Sequence, residues 1–175
     1  MRTEIRIAGT GGMGVVLAGV ILGHAAAVHG NLEAVQSQSY GSEARGTSAK
    51  SEVIINNEPI KYPKVRKSDY FVAMSQKALE LYLKDAKKGS VVIVDPDLVN
   101  TKKVKDDYEI VEVEAMKTAD RLGFRLASNM VMLGALVKKS GLFPIENLEK
   151  AVTDLINAET LKIDIEAIRA GADLV

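Results

Sequence analysis

Ile5-Arg6-Ile7-Ala8-Gly9-Thr10-Gly11-Gly12-Met13-Gly14 is the stretch whose reading decides the fold. An apolar, β-forming run breaks into glycines and continues as the alanine- and valine-rich segment Val15 to Val28, which predicts a strand, a tight turn and a helix. Glycines let a backbone turn sharply and approach a ligand with no Cβ in the way. The helix that follows presents unpaired amide N–H groups and the positive end of its dipole, so the junction suits a phosphate or carboxylate. The spacing Gly9-x-Gly11-x-x-Gly14 also matches a dinucleotide fingerprint. That fingerprint needs an acidic residue about 20 residues on, at the end of the second strand. Here the second strand reads Leu32-Glu33-Ala34-Val35-Gln36-Ser37-Gln38, with its carboxylate near the start. No Gly-Lys-Ser/Thr ending follows, which excludes a Walker-type loop.

Outward from this junction the pattern alternates. A strand at about 3–9, a helix at about 12–29 and a strand at about 32–38 read as an opening parallel pair with a right-handed crossover. Ser48 to Asn56 reads as a strand that turns at Asn57-Glu58-Pro59 into a hairpin partner, Ile60-Lys61-Tyr62. Tyr70 to Met74 is β-rich and meets Ser75, an N-cap for the helical pattern Ala78, Leu79, Leu81, Tyr82 and Leu83, with Gly89 as its end. Val91-Val92-Ile93-Val94 is short and wholly apolar, as an interior parallel strand should be. Residues 101–108 read as a solvated excursion before the strand Glu109 to Val113. Helices follow: one capped by Ser128 or Asn129 and closed by Gly141, one opened by Pro144, and a last over Ile163 to Ala170. The expected fold is α/β, a three-layer Rossmann-like sheet, mostly parallel with a hairpin insertion, helices on both faces. Residues 1–175 read as one domain.

Composition narrows the chemistry. Lys+Arg and Asp+Glu are both 23, so the formal charge is zero and no global footprint for nucleic acid or an anionic membrane exists. With no cysteine, a thiolate-held iron-sulfur cluster, a thiolate zinc site, a catalytic thiol and an internal disulfide are all ruled out for this chain. Val15 to Val28 is shorter than the roughly 20 residues a membrane span needs. No export signal is read at the start, and a cytoplasmic location is the expectation. His24 and His29 flank the end of the long helix without a second cluster of metal-ligand residues, so both read as structural, with Gly30 taking a left-handed turn. No metal site and no catalytic residue are expected on this chain.

A second unusual segment, Gln38-Ser39-Tyr40-Gly41-Ser42-Glu43-Ala44-Arg45-Gly46-Thr47-Ser48, falls where the alternation puts a strand's carboxyl end. In open α/β sheets the ligand crevice lies at those ends, so this loop and the Gly11 loop should share one side. Glu43 and Arg45 supply opposite charges, Tyr40 an amphipathic ring, and Gly41 and Gly46 backbone freedom. The plainer reading is a surface loop whose charges are solvated or pair for about 0–1 kcal/mol.

These two segments together resemble the gamma subunit, or gamma domain, of 2-oxoacid:ferredoxin oxidoreductases. Members typically show G-x-G-G-Q-G-V after a strand, an alanine-rich helix, a segment like Q-S-Y-G-P-E-A-R-G-G, and a strand beginning around S-E-V. This chain has Gly9 to Val15, then Gln38 to Thr47, then Ser51-Glu52-Val53, in that order. The likeness extends over Asp69 to Ser75, Val91 to Asp95 and Asn129 to Ala135. Met13 stands where glutamine is usual, Ser42 replaces a proline and Thr47 the second glycine. The tyrosine-glycine form of the second segment resembles the 2-oxoglutarate and branched-chain 2-oxoacid enzymes more than the pyruvate type.

The resemblance implies a complex that decarboxylates a 2-oxoacid, 2-oxoglutarate by preference, on thiamine diphosphate with magnesium. Such a complex passes electrons through iron-sulfur clusters to ferredoxin and transfers the acyl group to coenzyme A. Those cofactors are expected on partner subunits of alpha, beta and delta type, because this chain has neither cysteine nor a G-D-G segment followed by asparagine. For the chain itself the implied roles are packing against the catalytic subunits and forming a wall of the coenzyme A site. The implied contacts are Gly9, Gly11, Gly12, Gly14, Tyr40, Gly41, Glu43, Arg45 and Gly46. No nucleic acid and no membrane are expected as partners. An autonomous nucleotide- or dinucleotide-binding module is the competing reading, and it leaves the Tyr40 to Thr47 segment unexplained.

Overall fold

The computed structural model describes residues 1–41, 48–104 and 106–175. Alternation in β1 (Arg2–Thr10) sends Ile5 and Ile7 to one face of the sheet and Arg6 and Ala8 to the other. The chain then forms α1 (Val15–His24), a π-helical turn (Ala25–His29), β2 (Glu33–Tyr40), β3 (Ser48–Asn56) and β4 (Ser68–Ala73). Next come α2 (Gln76–Tyr82), a 3-10 turn (Leu83–Asp85), β5 (Ala86–Val94), β6 (Glu109–Glu112) and α3 (Ala115–Arg121). A second 3-10 turn (Arg125–Ala127) leads into α4 (Ser128–Ser140), α5 (Ile145–Leu155) and α6 (Ala158–Asp173).

The six strands lie in the order β2-β3-β1-β4-β5-β6. Pairing is parallel from β1 through β4 and β5 to β6, and antiparallel where β3 meets both β1 and β2. The sheet is therefore mixed, and its hairpin is β2–β3. Two sequence expectations are corrected here. Residues 57–67 form no strand, so Ile60-Lys61-Tyr62 is not a hairpin partner. β1 and β2 run in the same direction but are not neighbours, because β3 lies between them.

Helices cover the two faces unequally. One face packs Ile5, Ile7, Val53, Ile55, Val72 and Ile93 under α1 and α4, while the other sets Phe71, Val92 and Val94 against Ala78 and Leu79 of α2. Residues 128–137 of α4 are all buried, because the helix is enclosed by the sheet on one side and α6 on the other. Close approach to α6 rests on two glycines. A Cβ on Gly134 would lie 2.0 Å from the carbonyl oxygen of Ile168, and one on Gly171 1.9 Å from that of Val131.

On the less covered face Arg6 is buried and held across the β1–β3 pair by Glu52, with Nη2 2.6 Å from Oε2. Its Nη1 donates to the Asp85 carbonyl at 3.0 Å. Three local expectations hold: the Ser75 side chain accepts from Ala78 N at 3.1 Å, Gly141 closes α4 with φ +64, and Pro144 precedes α5. Three others change. Gly89 (φ +81) lies inside β5 rather than ending α2. The left-handed turn after the π segment is taken by Asn31 (φ +52) and not by Gly30. The last helix begins five residues earlier than its amphipathic core suggested, capped by the side chain of Asn157.

Candidate functional site

β1, β4, β5 and β6 run in one direction, so their carboxyl ends, and the loops that leave them, share one edge of the sheet. The glycine loop leaves β1 at this edge. Met13 N donates to the Thr10 carbonyl at 3.3 Å, and the Thr10 amide is covered by the Met13 sulfur at 3.4 Å. The Met13 side chain therefore folds back over the loop, close to where a Cβ on Gly9 would sit. Gly11 and Gly12 are exposed, and Gly12 has φ +88 with nothing among the described residues within 4 Å of its Cβ position.

Gly14 is the N-cap of α1 in the left-handed conformation (φ +72, ψ +27), with no side-chain cap. The amides of the first turn of α1 are thus left to whatever approaches the loop. Glycine is required here twice over. A left-handed backbone disfavours a Cβ, and that Cβ would lie 2.3 Å from Asn129 Nδ2.

Asn129 does not take the helix-capping position that the sequence suggested for it or Ser128. It sits in the first turn of α4 behind Ala127, not at the N-cap position. Its Nδ2 donates to the Gly14 carbonyl at 3.2 Å, while its Oδ1 accepts from Met130 N at 2.9 Å. One buried carboxamide thus ties the start of α4 to the start of α1, 115 residues apart. Its sequence neighbourhood carries the signal of a helix start, and nothing local announces the partner loop.

Tyr40 ends β2 at this same edge. Register places Tyr40 opposite Ala49, and Ala49 opposite Gly9, so tyrosine and glycine are two strand spacings apart, about 10 Å. Tyr40 is 63% exposed. Gly41 N donates to the Ser48 carbonyl at 2.7 Å, and a Cβ on Gly41 would approach Ser48 Oγ to 2.9 Å. That contact closes the neck of the second loop. Glu43, Arg45 and Gly46, with Ser42 and Thr47, lie outside the described residues. Of the sequence-predicted set, Gly9, Gly11, Gly12, Gly14, Tyr40 and Gly41 therefore gather on one sheet edge.

A dinucleotide site is geometrically disfavoured. Such a site needs the acidic end of a parallel neighbour beside the glycine loop. Here β3 intervenes, and Glu33 starts β2 opposite Asn56, at the far edge of the sheet. Two open depressions of about 570 and 580 Å³ also lie away from the loop, one beside Arg2, Tyr62 and Arg66, the other between α2 and residues 100–104. No helix among the described residues is long and apolar enough to cross a membrane.

The two histidines, read from sequence as structural, are joined here by a carboxylate that the sequence did not bring to them. His24 and His29 both reach Asp154 on α5, with Nε2 to Oδ2 distances of 2.9 and 2.7 Å. The family model described as pyruvate ferredoxin/flavodoxin oxidoreductase matches residues 4–174. A 2-oxoglutarate synthase subunit KorC of Methanothermobacter thermautotrophicus is 44% identical, over all of this chain and 96% of the relative. The crystal structure of a keto/oxoacid ferredoxin oxidoreductase gamma subunit from Geobacter sulfurreducens is similar with a TM-score of 0.89 and 37% identity, covering 99% of this chain and 96% of that one. A 2-oxoglutarate:ferredoxin oxidoreductase from Magnetococcus marinus, solved with 2-oxoglutarate, coenzyme A and succinyl-CoA bound, matches with the same TM-score and 25% identity, covering 99% of this chain and 31% of that one.

Proposed function

The chain belongs to the pyruvate ferredoxin/flavodoxin oxidoreductase family, and from that membership we propose that it serves as the gamma subunit of a 2-oxoglutarate:ferredoxin oxidoreductase. The reaction of the complex is the coenzyme A-dependent oxidative decarboxylation of 2-oxoglutarate to succinyl-CoA and CO2, with electrons passing to ferredoxin. The observation that carries this reading is the 44% identity over the whole chain to a 2-oxoglutarate synthase subunit. The bound molecules named for the Magnetococcus enzyme agree with it. The competing reading, an autonomous dinucleotide-binding module, has no support from the comparisons or from the strand order.

Residues 1–175 act in this reading as one gamma domain without redox chemistry of its own. With no cysteine, the chain does not fit an iron-sulfur cluster. Thiamine diphosphate, magnesium and the clusters belong to the alpha-, beta- and delta-type partners. What this chain offers is a wall. Coenzyme A carries phosphates and a long pantetheine arm. The exposed Gly11–Gly12 backbone and the first-turn amides of α1 suit a phosphate, Arg45 suits the same charge, and the Tyr40 ring suits the arm or the adenine.

The helical segment that follows the glycine loop also offers a surface to a partner. Leu17 and Val20 on the outer side of α1 are 39% and 36% exposed, and Val28 is 60% exposed. Leu17 and Val20, three residues apart on one helix face, suit burial against another subunit. The test is to co-purify the complex and assay ferredoxin reduction with 2-oxoglutarate, pyruvate and 2-oxoisovalerate. The proposal expects 2-oxoglutarate to give the highest kcat/KM and the isolated chain to be inactive. A preference for pyruvate, or turnover by the isolated chain, would overturn it.

A further inference from the structure

His24 and His29 are the only histidines in a chain with no cysteine, and the fold brings both to one carboxylate. They are five residues apart, a spacing that points to different sides of an α-helix. Between them the helix widens into the π-helical turn Ala25–His29, whose i to i+5 bonding stacks residues five apart on one face. The two rings then lie edge to face with centroids 5.7 Å apart. π turns are rare and occur often at functional sites.

Opposite them, α5 packs on both α1 and the π turn and presents Asp154. One ring nitrogen from each histidine and one oxygen of Asp154 all lie within 4.8 Å of one another. Zinc binds imidazole nitrogen at about 2.0–2.1 Å and carboxylate oxygen at about 2.0–2.2 Å in tetrahedral geometry, which spaces ligand atoms about 3.3 Å apart. The Nε2–Oδ2 distances of 2.9 and 2.7 Å are short of this by about half an ångström, a gap that small side-chain rotations supply. The side chains of His24 and His29 are 25% and 20% exposed, held in place yet open to an ion from solvent. An open depression of about 390 Å³ reaches the cluster past Glu146 and Glu149, and Glu149 is already paired with Arg169.

We propose that His24, His29 and Asp154 bind a first-row divalent transition-metal ion, Zn2+ by preference, as a clamp joining the end of α1 to α5. Two neutral imidazoles and one carboxylate suit such an ion better than Mg2+ or Ca2+, which take oxygen ligands. The site lies outside the glycine-loop wall and does not depend on the coenzyme A reading.

The test uses the full chain without a histidine tag, stripped with chelator and titrated with ZnCl2 by calorimetry. The expected result is saturable 1:1 binding, with a rise in thermal midpoint of about 5 °C when Zn2+ exceeds Kd a hundredfold. Mg2+ at the same concentration should produce neither effect. His24→Ala, His29→Ala and Asp154→Ala should each weaken Zn2+ binding about tenfold or more. Retention of wild-type Zn2+ affinity by these variants would overturn the proposal. Where a variant fails to fold, proton NMR of the wild-type imidazole resonances decides: both rings must shift with one equivalent of Zn2+, and the absence of a shift overturns the proposal.

Discussion

Gly14→Ala, read together with Asn129→Ala, tests how the glycine loop is built. Alanine at φ +72 costs roughly 1–2 kcal/mol for the left-handed backbone alone. Its Cβ would sit 2.3 Å from Asn129 Nδ2, so the carboxamide must move. The 3.2 Å bond to the Gly14 carbonyl is then lost and the 2.9 Å bond from Met130 N disturbed, each worth about 1 kcal/mol. The single variant should therefore lose roughly 2–4 kcal/mol in total. Asn129→Ala alone removes both bonds at a buried position and should lose about 1–2 kcal/mol. In that background the clash is gone, and adding Gly14→Ala should lose only the backbone share. The cycle thus has a coupling of about 1–2 kcal/mol, read from urea unfolding at 25 °C with an unchanged slope. Additivity within about 0.5 kcal/mol would refute the claim that this side chain meets this loop.

Three further substitutions probe the frame that holds the site. Gly171→Ala places a Cβ 1.9 Å from the Val131 carbonyl oxygen, and since backbone rather than a flexible side chain is in the way, α6 must lift from α4; a loss of about 3 kcal/mol or more is expected by urea unfolding. Glu52→Ala leaves Arg6 buried without its carboxylate and should lose about 3 kcal/mol by the same assay, whereas replacing Arg6 and Glu52 together by leucine should be far milder. Asp164 is buried, and desolvation raises its pKa, partly opposed by a hydrogen bond from Thr160. A raised folded-state pKa means the contribution to stability is fully present below the unfolded value and is lost as pH rises through the folded one. Asp164→Asn should accordingly be more stable than the wild type at pH 7, with the advantage shrinking toward pH 3 in unfolding titrations.

Much of this architecture is legible in local sequence because its causes are local. The run from Ile5 to Gly14 shows its strand by alternation and its turn by glycines, and Val91 to Val94 is readable as an interior parallel strand by being apolar throughout. Ser75 and Gly141 mark helix ends through capping chemistry that acts within a few residues. What escapes local reading is pairing across the chain. Nothing within Ser48 to Asn56 says that it inserts antiparallel between β1 and β2, since the same alternation would serve a hairpin with Ile60 to Tyr62. Gly89 follows a helical stretch and so resembles a helix end, although the strand has already begun at Ala86. Asn129 and Asp154 each look ordinary in their own helix. Their meaning comes from Gly14, His24 and His29, more than 100 residues away in each case.

The Ser51-Glu52-Val53 motif shows how a family-like segment divides between fold and function. Ser51 is buried against Gly19 of α1 and accepts from Gln36 Nε2, Glu52 balances Arg6, and Val53 fills the core. All three explain sheet and helix packing. Among the described residues the Tyr40 ring is exposed rather than packed, and it stands at the edge shared with Gly9 to Gly14.

The most direct measurement is therefore the Michaelis constant for coenzyme A of the assembled complex, with 2-oxoglutarate and ferredoxin saturating, for the wild type, Tyr40→Ala and Arg45→Ala. The account predicts intact assembly with a coenzyme A KM raised about tenfold for Arg45→Ala, as expected for loss of one charge-assisted contact of about 1.5 kcal/mol or more, and a smaller rise for Tyr40→Ala. An unchanged coenzyme A KM and turnover in both fully assembled variants would contradict it.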